Sequence, residues 1–117
     1  MFIATAVLSV LLAAGYVAAG LPKVLAQPTM VENARHLGFS TNAFRVIGLL
    51  ELAGSAGLLI GLLWEPLGIA AASGLVLLIL GALVTHLRNK DSLRETAPAV
   101  VFSAASVSVL ALRLVTT

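Results

Sequence analysis

Residues Phe44–Trp64 read FRVIGLLELAGSAGLLIGLLW. From Val46 to Trp64 the only ionisable side chain is Glu51. A stretch of about 20 predominantly apolar residues is what a helix needs to cross the hydrocarbon core of a bilayer. The charged side chains of an ordinary soluble domain make up about a quarter of its residues, as its wetted surface requires. Here they make up 10%, against 60% hydrophobic residues. A soluble helical bundle of this size would lack the polar residues to cover itself. The segment therefore reads as a membrane-spanning helix with a carboxylate at depth.

The same signal recurs on both sides. No charged side chain occurs before Lys23, and the segment lacks the basic start expected of a cleaved leader, so about 2–21 reads as a first span. About 43–63 forms the second. Trp64-Glu65-Pro66 then makes a tight turn, and about 66–86 forms a third. The polar stretch 88–95 precedes a fourth span at about 97–114, for which Thr96 is the expected cap and Pro98 a first-turn residue. The fold expected is all-α: a single domain over 1–117, an integral membrane four-helix bundle. A short amphipathic helix is expected between the first and second spans, within TMVENARHLG at 29–38. Thr29 and Glu32 have capping-box spacing, Gly38 suits a C-terminal cap, and Val31, Ala34 and Leu37 share a face.

Four spans put both chain ends on the side of the Trp64–Pro66 turn. The opposite side carries Lys23, Arg35, Arg88, Lys90 and Arg94, with Arg45 at the nearby start of the second span. Positive residues are retained in the cytoplasm. The expected placement is the inner (plasma) membrane of the cell, with loops 22–42 and 87–96 cytoplasmic and both termini outside. The excess of two positive charges is too dispersed to suggest nucleic acid as a partner.

Helices in lipid associate through close backbone contact at small residues and through interhelical hydrogen bonds. Gly54, Gly57 and Gly61 in the second span, Ala71, Gly74, Gly81 and Thr85 in the third, Gly15 and Ala19 in the first, and Ser103 and Ser106 in the fourth suit such contacts. An ionisable residue inside a span normally faces the bundle and finds a partner. Glu51 lies about six residues, or ~9 Å, past the cytoplasmic start of its helix. Arg45 is on a different face of the same helix, whereas Gly48 and Ser55 share that of Glu51. Tyr16 on the first span, Lys23 just after it and His86 at the end of the third lie at comparable depth. Glu51, Lys23, Tyr16, Arg45 and His86 are thus the candidate ligand-binding or polar-cluster residues. No catalytic constellation stands out. His36 and His86, the two histidines, have no metal-ligand spacing, so no metal site is expected. With no cysteine, thiol redox chemistry and thiolate metal sites are excluded.

GLPKVL at 20–25, ARHLGFS at 34–40, FRVIGLLELAGSAGLLIGLLWEPLGIAAA at 44–72 and GLVLLILGALVTHLR at 74–88 together resemble the small bacterial DoxX-like membrane proteins, particularly the compact actinobacterial type. The resemblance spans nearly the whole chain. It implies a four-helix membrane protein and carries no catalytic signature. The family takes its name from a subunit linked to thiosulfate and quinone oxidation; some relatives are associated with membrane redox complexes, and more distant ones assist other membrane proteins. The expectation is an accessory membrane protein without catalysis of its own. It would bind a partner membrane protein, a second copy of itself, or a lipid- or quinone-like ligand within the bundle. The rival readings are a subunit of a quinone-linked oxidoreductase with a pocket around Glu51 and, last, a proton-coupled transporter. No resident cofactor is evident; quinone or lipid suits the setting, and the bilayer itself is the first partner.

Overall fold

In the computed structural model, residues 2–115 are described, Leu93 by its backbone alone. They form five helices: α1 (Phe2–Val24), α2 (Pro28–Leu37), α3 (Thr41–Ile60), α4 (Glu65–Arg88) and α5 (Leu93–Val115). All but α2 are long and apolar enough to cross a membrane. They pack as a flattened bundle of 40 × 26 × 17 Å. Its order is α1 against α3, α3 against α4 and α4 against α5, with a lighter α5–α1 contact closing the ring. The short α2 lies over the end where α1 and α3 meet.

The distribution of polarity is that of a protein solvated by hydrocarbon. Large apolar side chains such as Ile3, Leu11, Leu49, Ile60, Leu77, Val101 and Leu114 point outward. Thr5, Ser9, Glu51, Ser55, Ser103, Ser106 and Arg113 are buried, beside an apolar centre of Leu12, Tyr16, Leu58, Leu75 and Val109. In lipid there is little to gain from burying leucine, so the interior goes to small residues and to polar groups that need partners. The chain is a multi-pass membrane protein.

Close approach between helices occurs at specific glycines. A side chain at Gly48 would strike the Gly20 carbonyl and the Lys23 Cβ, so α1 and α3 touch backbone to backbone there. Gly57 meets Ala71, and Gly61 meets Gly68 across the α3–α4 turn. Gly74 and Gly81 differ from expectation: nothing occupies the space beside either, and both lie on the open face of α4.

Several helix ends also differ from expectation. For α2, the N-cap is Gln27 with Pro28 in the first turn, and Thr29 is already helical, so the Thr29–Glu32 box is not the cap. For α5, the helix starts at Leu93, before the expected 97. Ser92 takes the capping role, its Oγ accepting from the Glu95 N–H at 3.3 Å and donating to Glu95 Oε1 at 3.1 Å. Thr96 is inside the helix and donates to the Ser92 carbonyl. The S-x-x-E spacing at 92–95 is a capping-box signal in its own right. Residues after Ile60 leave α3 as a hydrogen-bonded turn, three short of the expected end.

Candidate functional site

Lys23 stands in the last turn of α1, where the negative end of the helix dipole favours a cation. The Gly20–Gly48 contact draws that turn against α3, within reach of Glu51 one turn further along. Lys23 Nζ donates to Glu51 Oε1 at 2.5 Å, forming an ion pair in which the carboxylate side chain is 5% and the lysine 18% exposed. The ammonium also sits 5.2 Å above the centre of the Phe44 ring, a cation–π contact. A buried charge is tolerated when it is paired, and this pairing answers how a carboxylate survives in α3.

A cavity of about 320 Å³ opens beside the pair. Tyr16, Lys23, Glu51 and His86 line it together with Leu37, Phe39, Phe44, Ile47, Leu77, Leu78 and Thr85. Four of the five expected residues therefore share one cavity. They do not form one bonded cluster. The Tyr16 hydroxyl is 2.7 Å from Ser106 Oγ on α5, not against Glu51, and its ring packs on Phe102 with centroids 4.8 Å apart. Ser55 shares the Glu51 face as expected, yet its hydroxyl donates to the backbone carbonyls of Ala13 and Glu51 rather than to the carboxylate. Arg45 is outside the cavity: it is exposed and its Nε donates to the Val24 carbonyl at 3.0 Å, satisfying the end of α1. Its position on a different helical face from Glu51 is the reason.

Leu77 and Leu78 also border an apolar groove between α3 and α4, lined further by Leu50, Gly54, Gly57, Ala71 and Gly74. Leu77, Gly74 and Gly81 are exposed, so the cleft opens sideways, toward the acyl chains of a surrounding bilayer.

Two features absent from the expected site emerge. His36 and His86, with no spacing relation in sequence, meet the same carboxylate: His36 Nε2 is 2.7 Å from Asp91 Oδ1 and His86 Nδ1 is 2.6 Å from Asp91 Oδ2. The Asp91 side chain is 2% exposed. The hydrogen bond to Asp91 raises the His36 pKa, and the bonds from His36 and His86 lower that of Asp91. Asp91 is placed by a turn at the end of α4, in which its N–H bonds the His86 carbonyl and Lys90 adopts a left-handed φ of 55°. At the far end of the bundle, Arg113 is 2% exposed and donates to the Leu58 carbonyl at 2.7 Å, Ser9 Oγ at 2.9 Å and the Gly61 carbonyl at 3.2 Å. It ties α5 to α1 and to the last carbonyls of α3. Gly68 leaves the room its guanidinium needs. A cation within the last apolar span carries the same sequence signal as Glu51.

The arrangement sets an ion pair in the wall of a mostly apolar cavity, beside an apolar groove. It presents no nucleophile–base pair to that cavity among the described residues. Comparison with curated proteins and with solved structures finds no match. The sequence model of the DoxX-like family matches residues 7–109, which take in the cavity, α2 and most of all four spans. On that match the chain belongs to the DoxX-like family.

Proposed function

We propose that this protein is an accessory membrane protein that holds a lipid- or quinone-like amphiphile in the α3–α4 cleft, with no turnover of its own. The observation that carries the reading is an ion pair, Lys23–Glu51, set in the wall of an otherwise apolar cavity. A small polar head would lie against Lys23, Glu51 and His86. An apolar tail would run along Leu77 and Leu78 into the groove at Gly54, Gly57 and Gly74. A binding site of this kind is mostly apolar with a few placed polar groups that fix orientation. The lateral opening suits a ligand that arrives through the membrane. The quinone form of the ligand would suit a subunit of a quinone-linked redox system, in which another component carries the electrons.

A second reading rests on Gly74 and Gly81, which leave a bare strip on α4. Such a strip admits a helix of a partner membrane protein or of a second copy. The plasma membrane, with α2 and the α4–α5 loop cytoplasmic and both termini outside, is the setting the basic residues favour.

Native mass spectrometry of the protein extracted in mild detergent tests the ligand. A bound amphiphile of stoichiometric mass is expected, lost in Leu78→Trp, which fills the cleft. Wild-type protein free of any such adduct, and unable to take up added quinone or phospholipid, would overturn the reading.

A further inference from the structure

Outside the cleft, the densest gathering of chemistry is at the α2 end of the bundle. His36 of α2, Asp91 of the α4–α5 loop and Glu95 of α5 each offer one donor atom, and the three lie within 4.8 Å of one another. His36 Nε2 stands 2.7 Å from Asp91 Oδ1 and 3.7 Å from Glu95 Oε2. Donor atoms around a tetrahedral ion at bond lengths of ~2.1 Å are separated by ~3.4 Å, so side-chain rotations that widen the first of these gaps and narrow the second bring the set together. The far oxygen of Asp91 accepts from His86 Nδ1, which fixes the carboxylate plane as outer-shell partners of metal ligands do. The Asp91 side chain is nearly inaccessible, while His36 and Glu95 are each about half exposed, leaving a route from water.

We propose that His36, Asp91 and Glu95 bind one divalent first-row transition ion, with His86 as the positioning residue for Asp91. One imidazole and two carboxylate oxygens suit zinc, whose fourth position then faces solvent. The imidazole tells against magnesium, which takes oxygen ligands and keeps its water. Binding places the His36 proton on Nδ1, leaving Nε2 as the ligand. The ion ties α2 to the start of α5 beside the cavity, because Leu37 follows His36 and His86 lines the cavity wall. Loading would hold α2 down across that end of the cleft.

The test uses full-length protein freed of any polyhistidine tag, stripped with chelator and desalted in detergent. Zinc is titrated against a chromophoric competitor, and thermal unfolding is followed in parallel. One zinc per chain is expected, with a rise in Tm. His36→Ala and Glu95→Gln should each weaken binding by about tenfold or more. Glu95→Gln leaves the Asp91–His86 contact in place, so it reports on binding even if Asp91→Asn fails to fold. Magnesium at the same concentration should leave Tm unchanged. Substoichiometric zinc, zinc binding that survives both substitutions, or an equal response to magnesium would overturn the proposal.

Discussion

Glu51 and Arg113 meet the same difficulty, a charge inside hydrocarbon, at opposite ends of the bundle. Glu51 is paired with Lys23, and the contacts of Arg113 include the Leu58 and Gly61 carbonyls and the Ser9 hydroxyl. The consequences of substitution differ accordingly. Lys23→Met leaves a buried carboxylate without its cation and should destabilise by about 3 kcal/mol. Glu51→Gln keeps an acceptor for the ammonium and should cost less. The double variant Lys23→Met/Glu51→Leu should recover most of the loss, because replacing a buried pair by apolar side chains is often neutral. Reversible unfolding in mixed micelles measures all three; a double variant as unstable as Lys23→Met would show that the pair is not the coupling unit. Arg113→Lys retains the charge but not the planar fork, and should lose about 1–2 kcal/mol in the same measurement.

At the scale of elements, three helices end at the α2 side with the same device. The N–H groups of Gln27, Phe39 and Asp91 reach back to the carbonyls of Pro22, Ala34 and His86, with the preceding residue left-handed each time. Only one of the three left-handed residues is glycine, Gly38; the others are Ala26 and Lys90. A left-handed conformation costs a residue with a Cβ about 1 kcal/mol. Ala26→Gly should therefore stabilise the protein by about that amount, raising its midpoint in thermal unfolding. A fall would mean that the alanine methyl makes contacts worth more than the strain. The start of α5 offers a complementary case. Ser92→Ala removes a cap and should cost about 1 kcal/mol, while Thr96→Val, at the position favoured by sequence, should cost less. Two overlapping signals, S-x-x-E at 92–95 and Thr96-x-Pro98, compete in the sequence; the earlier wins because its side chain serves an otherwise free backbone N–H.

The whole molecule buries Glu51, Arg113 and several hydroxyls beside its apolar centre, while many of its leucine, isoleucine and valine side chains face outward. Since the chain has no cysteine, single cysteines report its orientation without background. A cysteine at Lys90 should resist a membrane-impermeant maleimide applied to intact cells, while one at Leu63 should label. The opposite pattern would reverse the proposed orientation. Four spans, one short intervening helix and a sheltered Glu51 were all legible in the chain, because hydropathy over 20 residues and the cost of a charge in lipid depend on composition alone. That Lys23 rather than Tyr16 meets Glu51, that Arg45 turns away, and that His36 and His86 converge on Asp91 were not. Those pairings are set by helix rotation and by the Gly20–Gly48 contact, which fix distances between residues far apart in the chain. Sequence by itself determined the solvent of this protein and the number of times it crosses. Only tertiary structure decided which polar groups meet inside, since a helix face has no partner until another helix is packed against it.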